Sequence, residues 1–467
     1  MIVKKFFLAL CIALLSSGMA GAADTNQTHP EKTRLRAELP VAAPFNSESP
    51  DSPALTSSSA TALTLEEALI MTLRQNPELQ TFSGQIEARQ GEAQQAQALP
   101  NPEIGIEVEN ILGKDDNRAF KSAETTLEIS QLIELGDKRH QRMKIAKLKQ
   151  QLADFDLESA RLEVIKTTSQ DFFSNLNAQA RIKLARQNLR LAEKVFNTVH
   201  LRVKAGKASP IAESRAQITV RQSRLTLKKE QHNLTAVQRR LAAGWGAANQ
   251  PHFQSTAGNL ESISEPPVWS DLQQLLEQNP KIVRRATELE LQDSRLALAQ
   301  AYGVPDMTLG GGIKRHEDND DFTFLLGVTF SLPVFDRNQG NIRTARAETG
   351  IRKKKELSEK VTLQACLQEN YELLLAAYEE ADSLRNSILP TAEANFSATD
   401  YGYRQGQFNF IDVLAAQKNL FEVREQLLDS LSDFHKRRLN IEALTGQKLA
   451  DSRNHSSTDP ISITGDK

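Results

Sequence analysis

Glu103, Glu107 and Glu109 alternate with Ile104, Ile106 and Val108, and Glu128 stands between Leu127 and Ile129. Successive side chains of an extended chain point to opposite faces, so each segment carries its carboxylates on one face and its aliphatic groups on the other. An acidic face attracts cations. Plain solvation of a strand face gives the same pattern. Asp412 falls in the first turn of a run free of Gly and Pro, Gln407–Thr445, where a carboxylate compensates a helix dipole. Nothing else resembles a reaction centre. There is no phosphate-binding loop, no dinucleotide turn and no Ser/His/Asp order with motif support. Gly310-Gly311-Gly312 lies inside a strand pattern, with no helix start after it, and reads as a place of close backbone packing. The 8 histidines are scattered, with no His-x-x-x-His pair. No enzyme activity, cofactor or resident metal is expected.

The elements that hold these carboxylates come from a duplicated plan. Asn76-Pro77 recurs as Asn279-Pro280 and Pro102 as Pro305; Gly206 recurs as Gly406 and Gly246 as Gly446. Ile211 and Ala216-Gln217 recur as Ile411 and Ala416-Gln417. Ordered anchors at an offset near 200 mark an internal repeat. Each copy starts with a capped helix, for which Thr64–Glu67 and Ser270–Gln273 fit the capping-box pattern. That helical pattern runs past Asn-Pro to Leu99 or Tyr302. A β-hairpin follows, over 102–132 in the first copy and 305–332 in the second. Long helices come next. Asp137–Ala205 contains neither Gly nor Pro, a span of about 100 Å as helix. Ile145, Leu148, Leu152, Phe155 and Leu162 make a narrow apolar stripe along it, which is a coiled-coil seam.

The helices reverse at two turns, 206–210 and 402–409. Gly206 and Gly406 are each followed three residues later by a cap-type residue, Ser209 or Asn409, and then by a new helix. Pro210 suits a first helical position.

With 57 Lys+Arg against 59 Asp+Glu, the chain offers no charge for nucleic acid. A mean hydropathy of −0.44 argues against a bundle of membrane helices, though not against a membrane barrel. Residues 1–23 read as a secretory signal: Lys4 and Lys5, the apolar run Phe6–Leu15, then small residues. Cys11 lies inside that run rather than at its end, so no lipid anchor is expected. Residues 24–62, rich in Ser, Thr, Pro and Ala, read as an extended or disordered leader and 448–467 as a disordered tail. Between them lie a first copy over 63–250, a linker over 251–267 and a second copy over 268–447.

In an exported chain, ten-residue segments with one apolar face fit an outer-membrane barrel. Four strands are too few to close one, since at least about eight are needed. Open edges in lipid would leave backbone groups unpaired. A barrel therefore requires several chains to pool strands, with Glu103, Glu107, Glu109 and Glu128 facing its lumen. Soluble hairpins packed on helices alternate in the same way and remain the alternative.

LTLEEALIMTLRQNPEL near the start, YRQGQFNFIDVLAAQ at 403–417 and the duplicated plan resemble the outer-membrane factor family of tripartite efflux systems, the TolC-like channels, over about residues 63–447. LPNPEIGIEVENIL, the Leu135–Arg139 step and SLPVFDRNQGNI look like its heavy-metal branch, the CzcC-like and CusC-like proteins.

The resemblance implies a mainly α fold with a β-barrel portion: a homotrimer with a twelve-stranded transmembrane barrel, four strands per chain, continuous with an α-helical periplasmic tunnel. It implies outer-membrane lipid around the barrel, a periplasmic adaptor (membrane fusion protein) and an inner-membrane RND pump as partners, and export of heavy-metal cations. Channels of the same fold for drug efflux or type I protein secretion are the nearer alternative, and a soluble periplasmic coiled-coil scaffold the more distant one. The turns with Gly206, Ser209, Pro210, Ile211, Gly406, Asn409 and Ile411 would then be the adaptor-docking tip. Tyr403 and Asp412 would stand at the entrance gate. A second carboxylate of the family pattern is Ala415 here, and a basic partner found in some relatives is Phe408.

Overall fold

The computed structural model describes residues 62–111, 120, 122–249 and 253–449. The expected signal peptide, nearly all of the leader and tail, and residues 112–119 within the first expected hairpin lie outside these residues.

Each copy opens with two short helices: α1 (Leu65–Gln75) and α2 (Pro77–Gln97), then α5 (Trp269–Leu276) and α6 (Pro280–Ala301). Thr64 caps α1 as a full box: its Oγ1 accepts from Glu67 N at 3.3 Å, and Glu67 Oε2 accepts from Thr64 N at 2.9 Å. These bonds hold the Glu67 carboxyl below its ordinary pKa. The box expected at Ser270 does not form. α5 starts two residues earlier, at Trp269 with Val268 as its N-cap, and Ser270 Oγ instead donates to Asp271 Oδ1 at 3.1 Å. Pro266-Pro267 force an extended approach, and Trp269 packs beside Leu272 and Leu276 against the long helices. That packing sets the first turn.

The helical pattern across Asn-Pro is interrupted in both copies. The residue before a proline is biased away from helix, and Asn76 and Asn279 become N-caps with the proline at the first helical position. Asn76 Oδ1 accepts from Glu78 N (2.9 Å) and Leu79 N (3.1 Å), while its Nδ2 donates to Gly244 O at 2.8 Å. Asn279 Oδ1 accepts from Lys281 N, and its Nδ2 donates to Leu444 O, both at 2.7 Å. One amide thus caps the start of one helix and the end of another.

β1 (Glu103–Glu109), β2 (Glu124–Ile133), β3 (Met307–His316) and β4 (Asp321–Phe330) form one antiparallel sheet in chain order. β2 pairs with β3, so the two copies share the sheet. Among the described residues β1 and β4 each pair on one side only.

The long helices are α3 (Lys138–Lys204) with α4 (Pro210–Ala243), and α7 (Gln339–Ser383) continuing through a π turn (Leu384–Ile388) into α8 (Leu389–Gln405), with α9 (Phe410–Thr445). α3 has 67 residues; the 45, 5 and 17 of its counterpart together match it. The π turn lies just before Pro390, which lacks an N–H and would crowd the carbonyl four residues back. There Leu389 N–H donates to Leu384 O.

Small apolar clusters are strung along these helices. α1 packs on α3 and α4 through Phe172, Leu176 and Leu241, and α5 packs on α7 and α9 through Leu367, Leu374 and Phe434. None of the described helices is long and apolar enough to cross a membrane.

Asn279→Ala removes both caps together. It is expected to cost about 1–2 kcal/mol, read as a lowered thermal midpoint of the detergent-solubilised protein.

Candidate functional site

The sheet register assigns its faces, because directly paired residues in an antiparallel ladder share one. One face carries Ile104, Ile106 and Val108 of β1, Leu127 and Ile129 of β2, Leu309 and Ile313 of β3, and the even-numbered residues Phe322 to Phe330 of β4. All of these but the half-buried Ile313 are exposed: Ile104 is 73% exposed, Phe324 75% and Leu326 83%. An apolar sheet face of this extent is rare on a protein that meets only water.

The other face is polar. At the loop end, Lys314 Nζ donates to Glu109 Oε2 at 2.6 Å and Glu124 Oε2 at 2.7 Å. His316 Nδ1 lies 3.5 Å from Glu124 Oε1. Glu103, Glu107 and Glu128 share this face, and no hydrogen bond or ion pair reaches them among the described residues. The four glutamates singled out in the sequence thus share one face, and the ion pairs of Lys314 with Glu109 and Glu124, which no local pattern indicates, neutralise part of it.

A buried joint connects strands to helices. Gly136 has φ +73°, and a β-carbon there would stand 2.8 Å from Val304 Cβ, so glycine is required. Lys138 is 3% exposed; its Nζ donates to Val304 O and Asp306 Oδ1, both at 2.7 Å. Asp306 also accepts from Leu135 N at 2.9 Å. A single ion pair thus ties the strand-to-helix step of copy one to the helix-to-strand step of copy two. Such a buried pair is costly to break from one side.

At the opposite end, α3 and α8 stop in matching C-caps. Gly206 (φ +70°) and Gly406 (φ +82°) are left-handed. Gly206 N donates to Val203 O and Lys207 N to Arg202 O; Gly406 N donates to Tyr403 O and Gln407 N to Gly402 O. This is the Schellman pattern in both copies. Ser209 then caps α4 by accepting from Ile211 N at 3.2 Å, and Pro210 takes the first position. Asn409 caps α9, and its N–H donates to Asp412 Oδ2 at 3.0 Å. Asp412 is exposed and one of its oxygens serves its own helix. Ile211 and Ile411, equivalent in the repeat, stay 65% and 60% exposed.

Tyr403 is buried among Val199, Phe410 and Val413. Burial pushes its phenol pKa up, with Arg202 opposing, and its hydroxyl finds no partner among the described residues. Arg202 bridges the two turns. Its guanidinium donates to Tyr403 O and to Arg404 O, and lies 4.5 Å from the Tyr403 ring centre. Sequence reasoning missed Arg202, because its counterpart in the repeat is Gly402. At Gly402 the Phe408 ring fills the space a β-carbon would need.

The family model described as "Outer membrane efflux protein" matches residues 69–247 and 272–447. The chain belongs to this family. It is 31% identical over 385 residues to the cobalt-zinc-cadmium resistance protein CzcC of Cupriavidus metallidurans, covering 82% of this chain and 90% of that one. It is 22% identical to the cation efflux system protein CusC of Escherichia coli over 57% of this chain and 60% of that one.

Among solved structures, a crystal structure of CusC superposes with a TM-score of 0.72 at 16% identity, over 82% of this chain and 92% of that one. The Campylobacter jejuni CmeC outer membrane channel gives 0.69 at 16% identity, over 84% and 88%. At these identities the likeness is one of fold: long helices carrying a β-sheet portion, as in the outer-membrane channels. Within this efflux-protein fold, the exposed apolar sheet face and the paired turns lie at opposite ends of the long helices.

Arg202→Ala is expected to free the end of α8, at a cost of about 1–2 kcal/mol. Faster amide exchange at Gly406 and Gln407, with no change in the strands, is the readout. Arg202→Lys restores little, since an ammonium cannot stack and span two carbonyls together.

Proposed function

We propose that this efflux-family chain is the outer-membrane exit channel of a tripartite system, and that it exports divalent heavy-metal cations. The observation that carries the channel reading is the open-edged sheet with one bare apolar face. Hydrocarbon tolerates such a sheet only when its edges are paired. Two copies supply the minimum of about eight strands, and three supply twelve with a wider lumen. Ten residues at about 3.4 Å each, tilted, span roughly the 25 Å apolar band of outer-membrane barrels. We take three copies.

The cargo reading draws on the likeness to CzcC over most of both chains. The long helices reach toward the periplasm. There the turns at Gly206–Ile211 and Gly406–Ile411 offer a docking surface to a periplasmic adaptor, and Ile211 and Ile411 supply its apolar contacts. An inner-membrane RND-type pump provides the energy. Asp412 and Tyr403 stand at the entrance, the first as an exposed carboxylate and the second as the packed support beneath Arg202.

Deleting the gene is expected to lower tolerance to cobalt, zinc or cadmium, and the intact gene to restore it. Unchanged tolerance to all three argues against the metal cargo. Ile411→Asp is expected to abolish most of the rescue while leaving single-channel conductance of the purified protein intact. That outcome separates docking from the pore itself.

A further inference from the structure

Within the chain, the exit from one hairpin is held by the entry to the other. β2 outruns its own hairpin: β1 accompanies it only to Ser130, and Gln131, Leu132 and Ile133 pair instead with Leu309, Thr308 and Met307 of β3. Just beyond, Lys138 joins Asp306 and lies 5.8 Å from the Tyr302 ring centre. The repeat supplies the same two parts again. Ser130 matches Ser331 on the exit side and Pro102 matches Pro305 on the entry side. The counterparts of Gln131, Leu132 and Ile133 are therefore Leu332, Pro333 and Val334, and those of Leu309, Thr308 and Met307 are Ile106, Gly105 and Ile104. Among the described residues this second joint is not made. Residues 332–334 lie beyond the last pair of β4, and the outer edge of β1 is open.

Side-chain chemistry fits the register that this equivalence dictates. Phe330, Leu332 and Val334 would stand opposite Val108, Ile106 and Ile104 on the apolar face, and Thr329 and Ser331 opposite Glu109 and Glu107 on the polar one. A slip of one residue would set aliphatic groups against carboxylates. Gly105 has open space beside it, which leaves room for the Pro333 ring. The exit loop is bare on a lone chain: Phe335 is 92% exposed, and Leu332 and Val334 are exposed too. Leu99, which holds the place of Tyr302, is 66% exposed. Arg337 uses its N–H on Gln339 Oε1 and its Nε on Pro333 O, at 2.8 and 3.2 Å. Its outer guanidinium nitrogens have no partner among the described residues, and neither has Glu103, the counterpart of Asp306. Arg337 also replaces Gly136, at which the inner joint closes against Val304. The second joint is therefore wider and needs side chains to fill it.

We propose that residues 332–337 are the docking segment for a second copy of this chain. Leu332 and Val334 extend β4 against Ile106 and Ile104 of the next chain, Phe335 covers the next chain's Leu99, and Arg337 pairs with the next chain's Glu103. The proposal rests on the shared-barrel reading above and adds to it the register and the residues that close the join. Continuity supports it: the loop prolongs the apolar face of β4 at the one edge where the sheet needs another strand. Opposite charges meet at the base of the join, as Lys138 and Asp306 do inside the chain.

The test is cysteine cross-linking of the detergent-solubilised full chain in a Cys366→Ser background, with each single-cysteine variant as the control. Ile106→Cys with Leu332→Cys is expected to give oxidised products of two and three chains on a denaturing gel. Ile106→Cys with Phe330→Cys or Val334→Cys, two residues out of register, is expected to give severalfold less. Arg337→Glu is expected to lower the assembled fraction in detergent severalfold, and Glu103→Arg added to it to restore that fraction, a rescue that a mere folding defect would not show. If assembled chains link through an off-register pair and not through positions 106 and 332, the register is overturned. If the double charge reversal restores nothing, the pairing of Arg337 with Glu103 is overturned. If Phe335→Ser leaves assembly unchanged and weakens only the binding of the protein to phosphatidylglycerol vesicles, lipid covers the loop and its docking role is overturned. If the purified parent holds no assembled chains at all, it is the shared-barrel reading that fails.

Discussion

A polypeptide amide in hydrocarbon must be hydrogen-bonded, and that requirement governs this molecule. Among the described residues the four-stranded sheet leaves β1 and β4 with a free edge each, and it turns a continuous apolar face outward. Water would tolerate the edges but not favour the face. Lipid would favour the face but not tolerate the edges. Both demands are met when copies of the chain join edge to edge. The barrel is then a property of the assembly, and each chain contributes an arc of it.

The rest of the structure follows from attaching helices to that arc. The chain must turn from strand to helix on a fixed bearing, and it does so at Gly136 and Asp137, with Asn338 as the counterpart of Asp137 in copy two. Lys138 and Asp306 lock one of these turns to the incoming strand of the other copy. From there the helices run as paired rods held by small clusters rather than one core. At the far end, two Schellman turns reverse the chain in register, and Arg202 fastens one to the other. Duplication explains why matching devices recur: Asn76 with Asn279, Gly206 with Gly406, Ile211 with Ile411. Where the copies differ, the difference has a local cause. Pro390 produces a π turn that the first copy lacks, and Gly402 faces Phe408 where the first copy places Arg202.

Much of this was legible from residue order alone. Two-residue alternation identified the strands and their apolar side; the long stretches without Gly or Pro identified α3, α4 and α9, whereas α7 and α8, which contain Gly340, Gly350, Pro390 and Gly402, followed only from the repeat. The first two signals are local, so short windows contain them. The interruptions at Asn76 and Asn279 were readable in principle from the proline that follows, yet the continuing apolar period masked them. Ser270 was misread because Trp269 packing, a tertiary effect, moved the helix start. The contacts that unite the parts were invisible. Lys314 meets Glu109 across 205 residues, Lys138 meets Asp306 across 168, and Arg202 meets Tyr403 across 201. No spacing rule reaches that far, and the repeat offers no second arginine at 402 to suggest the last.

The most direct test of the account is the mass of the intact, detergent-solubilised assembly, measured by native mass spectrometry on protein extracted from the cell envelope. Three chains that stay together once the detergent is stripped in the gas phase, and that cannot be kept dispersed without detergent beforehand, are the predicted result. A single chain that remains in aqueous solution with its sheet intact would contradict the shared barrel, and with it the placement of both ends of the molecule.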